Sequence, residues 1–135
     1  MQTSHPKVLI LDDDPMHLEI YCLLLKEAGY ETIPSLVRFA GTAVPCEECL
    51  GLVLLDYRLN SMKTSPEFAR EIRAAYPTVP IIVLSDLWNL PSDIAPFVTG
   101  FVRKGEPARL LETIAQYFIP ADKTVSDEAR TTPGL

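Results

Sequence analysis

No apolar run in this chain approaches the length needed to cross a bilayer, and its first residues, MQTSHPK, hold no apolar signal core. A spanning helix takes about 20 consecutive apolar residues. A membrane span is therefore excluded, and the cytoplasm is the expected location. Positive charge is also short: 12 Lys and Arg stand against 18 Asp and Glu, leaving a net charge of -6. Such a balance gives no electrostatic grip on phosphate backbones or anionic lipid, so no direct nucleic acid or membrane partner is expected. Cysteine is scarce and odd in number. Cys22, Cys46 and Cys49 include one CxxC, in PCEECL, but His5 and His17 have no companion spacing that would complete a four-ligand zinc site. An uneven count fits a reducing compartment better than a disulfide framework. Finally, 135 residues leave room for one domain and one core.

What is present is a repeated alternation. VLIL (8 to 11), LVLL (52 to 55) and IIVL (81 to 84) are short, rich in branched residues and lack polar alternation, as strands buried on both faces do. Helical patterns lie between them. One runs from Pro15 to Ala28 and is closed by Gly29; another runs from Glu67 to Ala75, with Ser65 as N-cap and Pro66 in the first turn. Weaker strands are suggested at Glu31 to Ile33 and Phe101 to Val102, and a last helix from Pro107 to Phe118 is stopped by Pro120. Five strands and about five helices result, and alternating strand and helix implies a parallel sheet. Residues 38 to 50 and 88 to 98 carry Gly41, Pro45, Pro91 and Pro96, so short or irregular structure is expected there. The expected domain covers residues 1–120. Residues 121–135 have no periodic apolar face and read as a disordered tail.

In the first helix His17, Ile20, Tyr21, Leu24 and Ala28 share one stripe, which places His17 at a core edge. A second stripe of Leu18, Cys22 and Leu25 would then face outward. That motivates an expectation of self-association, as a homodimer, or of partner docking on this helix, against the plainer alternative of scattered exposed apolar residues.

The stretch KVLILDDDPMH ends an apolar strand in adjacent carboxylates. Like charges about 4 Å apart repel by roughly 4 kcal/mol at an effective dielectric of 20, and a cation is the usual reason to gather them. Open parallel sheets bind ligands outside the carboxyl ends of their strands. There Asp12 and Asp13 end the first strand, Asp56 ends LVLLD, Ser85 ends IIVLS, and Lys104 follows Phe101, Val102 and Arg103. Oxygen ligands of this kind suit Mg2+. One further carboxylate can act as nucleophile toward a phosphoryl group while a lysine, a hydroxyl and the metal stabilise the transferring oxygens. Asp14 needs no such role, since an Asp before Pro15 is a good helix cap.

Residues 6 to about 119 resemble the receiver domain of bacterial two-component response regulators, of the chemotaxis-regulator type. The pieces that carry the likeness are LILDDDP, LVLLDYRL, IVLSD and GFVRKGEP, in that order. The resemblance implies a flavodoxin-like α/β fold: a doubly wound five-stranded parallel sheet of order 2-1-3-4-5. It further implies Mg2+ held by Asp12, Asp13, Asp56 and the backbone carbonyl of Arg58. Asp56 would accept a phosphoryl group from a sensor histidine kinase or phosphotransfer protein. Ser85 and Lys104 would contact that group, Ser85 and Phe101 would form the switch, and an output protein of unknown identity would read it. The chain would be a phosphoacceptor signalling domain rather than an enzyme, with self-catalysed phosphoryl transfer and autodephosphorylation at most.

Two departures bear on this. Asp86 stands where the family prefers a very small residue and brings another negative charge, which predicts slowed phosphorylation. Gly105 follows Lys104 where the family has a proline in a cis peptide, which predicts a trans bond and a different pose for the lysine. Two alternatives follow from the same residues. One is a pseudo-receiver that binds partners without phosphate. The other is a haloacid dehalogenase-type phosphatase, with Asp12 as nucleophile and Asp14 as acid and base, which would leave Asp56 idle and lacks the acidic pair that family needs after the lysine.

Overall fold

A computed structural model describes residues 6–118. The expected tail, residues 121–135, and the end of the expected domain at residue 120 lie outside them. The chain runs β1 (Lys7–Asp12), α1 (Pro15–Glu27), β2 (Glu31–Leu36), β3 (Leu50–Asp56), α2 (Ser65–Ala75), β4 (Ile81–Ser85), a 3-10 turn (Ala95–Phe97), β5 (Gly100–Arg103) and α3 (Pro107–Tyr117). The five strands form one sheet of order β2-β1-β3-β4-β5, and every pairing is parallel. The expected sheet and its order are both found.

Successive side chains of a strand point to opposite faces, and the two cores follow that parity. Val8, Ile10, Leu52, Leu54, Ile82, Leu84 and Val102 face α1 and α3, meeting Leu18, Leu25, Leu110 and Ile114. Leu9, Leu11, Val53, Leu55, Ile81 and Val83 face α2, meeting Phe68, Ala69 and Ile72, with Ile94 beside them. Because the central strands are covered on both sides, they can be apolar at every position, and burying each such side chain contributes about 1.5–3 kcal/mol.

The helix count is lower than expected: three α-helices and one 3-10 turn among the described residues, rather than five helices. The irregular segments are those marked by proline and glycine. Residues 38–49 pass without a helix, and residues 88–98 hold only Ala95–Phe97. Arg73 secures that short turn. Its guanidinium donates to the carbonyls of Tyr76, Pro77 and Val79, and across to Phe97. β2 extends to Leu36 and contains Pro34, which its place at the sheet edge tolerates.

Two local expectations are corrected. The N-cap of α2 is Thr64, not Ser65. Thr64 Oγ1 accepts from the Glu67 N–H at 3.3 Å while Glu67 Oε1 accepts from the Thr64 N–H at 2.8 Å, a reciprocal box. Ser65 is instead buried and donates to the Tyr57 carbonyl at 2.7 Å. The second correction concerns α1. Leu18 and Leu25 are buried in the core, with Cys22 packed beside them, whereas Met16, Ile20 and Leu23 are exposed. The stripe expected to face outward is the inner one, so it is not available for self-association. The helix is apolar on nearly every side, and its periodicity therefore could not set which side faces the sheet. The three cysteines are free thiols.

Candidate functional site

The carboxyl ends of β1, β3, β4 and β5 gather the polar residues. Asp12 is 1% exposed, Asp56 2% and Ser85 0%. Parallel pairing sets this layout, because it brings the strands' C-terminal ends to one edge, with Leu11 beside Leu55 and Ser85 beside Arg103. One carboxylate oxygen each from Asp12, Asp13 and Asp56 lies within 4.8 Å of the other two.

Each group is held by its neighbours. Asp12 Oδ1 accepts from the Asp14 N–H at 2.9 Å, Asp13 Oδ2 from the Asn60 N–H at 2.9 Å, and Asp56 Oδ1 from the Arg58 N–H at 3.2 Å. Lys104 Nζ lies 2.8 Å from the same Asp56 oxygen. Lys104 makes this reach with no cis peptide bond in the described chain, and Gly105 takes a φ of +85° in the turn that follows. The expected trans linkage is found, and it still delivers the ammonium to Asp56. Ser85 Oγ accepts from the Leu87 N–H at 3.0 Å, and the Ser85 carbonyl accepts from the Lys104 N–H at 2.8 Å. Phe101 is half-buried against the α2 side of the sheet.

Burial pushes the Asp12 carboxyl from 3.8 up to about 7. The charge of Asp56 pushes the same way, against the Asp14 amide, His17 and Lys104. Asp12 Oδ2 is buried and has no hydrogen-bond partner. An orphaned buried oxygen inside a set of three carboxylates is what a hard cation relieves, and the donor set fits Mg2+.

The geometry defines the roles of three further residues beside the site. Asp14 caps α1 as expected, its Oδ1 accepting from the Met16 N–H at 2.9 Å; that commitment argues against an acid–base role in a phosphatase. Asp86 does not point an unpaired charge at the site. Arg58 Nε donates to it at 2.9 Å, and this holds the Asp86 carboxyl below the usual range. His17 is not simply core filling, because Nδ1 is 3.6 Å from Asp12 Oδ2 and Nε2 is 3.5 Å from Asp14 Oδ2. Only its position four residues after Asp13 hinted at this, and apolar periodicity masked the hint.

No family model matches the chain. It is 32% identical over 93 residues to the Escherichia coli (strain K12) transcriptional regulatory protein GlrR, which covers 69% of this chain and 21% of that protein. It is 26% identical over 98 residues to the Synechocystis DNA-binding dual master transcriptional regulator RpaA, covering 70% of this chain and 40% of that protein. The chain thus spans well under two thirds of these relatives' own lengths. Among solved structures it is similar to the Vibrio cholerae chemotaxis response regulator CheY4, with a TM-score of 0.68, 22% identity, and coverage of 85% of this chain and 100% of that one. It is also similar to a response regulator receiver protein from Pseudomonas putida, with a TM-score of 0.67, 23% identity, and coverage of 85% and 99%.

Proposed function

We propose that this chain, whose fold is similar to that of response regulator receiver proteins, accepts a phosphoryl group on Asp56 in two-component signal transduction. The observation that carries the reading is the Lys104–Asp56 contact of 2.8 Å on a carboxylate that is 2% exposed, beside Asp12 and Asp13. The donor would be a sensor histidine kinase or a phosphotransfer protein, and the reader an output protein. The cytoplasm is the compartment this implies; among the described residues no helix is long and apolar enough to cross a membrane.

In this reading Asp12, Asp13, Asp56 and the Arg58 carbonyl would hold Mg2+. When bound, the metal supplies positive charge for the oxygens of the transferring group. The chain's own residues do the rest. The Arg58 N–H fixes one oxygen of Asp56, which orients the carboxylate as nucleophile. Lys104 neutralises Asp56 at rest and, once the carboxylate carries a phosphoryl group, turns its ammonium to that group's oxygens. Ser85 is fully buried at the next strand end, and its hydroxyl proton is free to donate while its oxygen accepts from Leu87. Its movement toward the phosphoryl group would pull the loop that begins at Asp86, with Phe101 following as the second switch residue. Attack of water on the acyl phosphate releases inorganic phosphate and returns the Asp56 carboxylate, so the activity amounts at most to self-catalysed phosphoryl transfer from the donor and autodephosphorylation.

Incubation with acetyl phosphate and Mg2+ followed by intact-mass measurement tests the proposal. The expected result is a single acid-labile phosphoryl adduct that Asp56→Asn abolishes. An unlabelled wild type that nevertheless binds Mg2+ would favour a pseudo-receiver. Steady release of phosphate from a small phosphomonoester would favour a phosphatase.

A further inference from the structure

Met16, Ile20 and Leu23 of α1 are 66%, 54% and 59% exposed, although each is large and apolar. Their spacing of four and then three places them within about 60° of one another around the helix, at 3.6 residues per turn. A line this narrow has the spacing of the seam along which two helices coil together. Apolar residues scattered singly on a surface need no explanation, but three in line over two turns do. The rest of the exposed face is charged: Glu19 and Lys26 flank the seam on one side, and Glu27 ends it. Neither Glu19 nor Lys26 has an ion-pair partner among the described residues. On the other side Ile20 and Leu24 line a cleft of about 280 Å3 between α1 and α3, so apolar surface continues there.

We propose that this face docks a second copy of the chain, α1 against α1 in antiparallel register, with Ile20 of each packed on Leu23 of the other. The charges choose both the occupant and the direction. In an antiparallel pair residue numbers run in opposite senses, so with Ile20 against the second copy's Leu23, Glu19 comes beside that copy's Lys26. Two-fold symmetry makes the same ion pair twice. A parallel pair along this seam would set Glu19 beside the second copy's Leu24, leave Lys26 without an acid and align the two helix dipoles. At the ends of the antiparallel seam Glu27 approaches the second copy's first turn, where Asp13 and Asp14 repel it, and this limits the affinity. The face offers six residues, Met16, Glu19, Ile20, Leu23, Lys26 and Glu27. Against the roughly 20–30 residues a side of a standard interface, that makes a transient dimer.

Sedimentation equilibrium of the full chain from about 10 to about 500 µM, in low salt so that the ion pairs are not screened, tests the inference. The wild type should form a dimer as concentration rises, and Ile20→Glu should stay monomeric throughout. Glu19→Lys and Lys26→Glu should each weaken the dimer about tenfold, because each turns two attractive pairs into two repulsive ones. The double variant, which keeps both pairs with the charges exchanged, should restore the wild-type affinity to within about threefold. A wild type that is monomeric at the highest concentration would overturn the inference and leave the face to a partner of different sequence. So would a double variant as weak as either single one, or an Ile20→Glu variant that still dimerises. Asp56→Asn should dimerise like the wild type, so this result and the proposed phosphoryl transfer stand or fall separately.

Discussion

Asp12→Asn should make the metal-free protein more stable, and by an amount that depends on pH. Burial, chiefly, lifts the folded-state pKa of Asp12 from 3.8 to about 7. For an acid raised in this way, the folded chain holds a proton that the unfolded chain has released throughout the interval between the two values. The stability Asp12 allows is therefore fully present below about pH 4, falls as pH rises toward 7, and is flat above it. At about 1.4 kcal/mol per unit the whole interval corresponds to roughly 4 kcal/mol, an upper bound because side chains relax around the charge. Asparagine keeps the acceptor that binds the Asp14 N–H at 2.9 Å and turns an amide toward His17 in place of the orphaned oxygen. In EDTA at pH 8 the variant should gain about 2–4 kcal/mol, a rise in Tm of roughly 10 °C for a domain of this size. The gain should shrink at pH 5 and vanish near pH 4. Mg2+ at a hundredfold excess over its Kd would add about 2.7 kcal/mol to the wild type and little to the variant. Urea denaturation with and without EDTA at the three pH values is the assay. A variant less stable than wild type at pH 8 without metal, or one that Mg2+ stabilises equally, would refute the reasoning.

Lys104→Ala leaves the buried Asp56 carboxylate without its counter-ion; a loss of about 2–3 kcal/mol in metal-free urea denaturation is expected, together with tighter Mg2+ binding because a competing cation is gone. Leu18→Glu puts a charge into the core at a residue 6% exposed and should unfold or severely destabilise the domain, whereas Ile20→Glu, at 54% exposure, should leave the melting temperature within a few degrees. Sedimentation of the Ile20→Glu variant against the wild type then checks self-association through the outer face of α1. Trp88 stacks on the Arg103 guanidinium, 3.6 Å from the ring centroid, in the loop that starts beside Ser85. Beryllofluoride with Mg2+, an aspartyl phosphate mimic, should change Trp88 emission in the wild type and not in Asp56→Asn; calorimetric binding with unchanged emission would count against movement of this loop.

The strands were legible because burial on both faces removes polar alternation and leaves VLIL, LVLL and IIVL unmistakable. Their order and the gathering of Asp12, Asp13, Asp56, Ser85 and Lys104 followed from the general rule about strand ends and from likeness to a known family. The cap at Asp14 was legible too, since capping is a contact within one turn. Even the cap at Thr64 lay within sequence reach, because TSPE holds the spacing of a capping box.

Contacts between residues distant in sequence were decided elsewhere. Whether α1 buries Leu18 and Leu25 or Ile20 and Leu23 depends on how the helix rotates against β1 and α3, and an apolar helix carries no mark of its own phase. The charge of Asp86 looked like a threat to phosphorylation because its partner, Arg58, sits on another strand's loop, 28 residues away. His17 shares one helical turn with Asp14, yet it meets Asp12 only because the strand end and the helix start fold back on each other across the intervening turn. Local chemistry is written in the order of residues; the rotation of a helix and the pairing of distant charges are set by packing, which exists only once the chain has closed on itself.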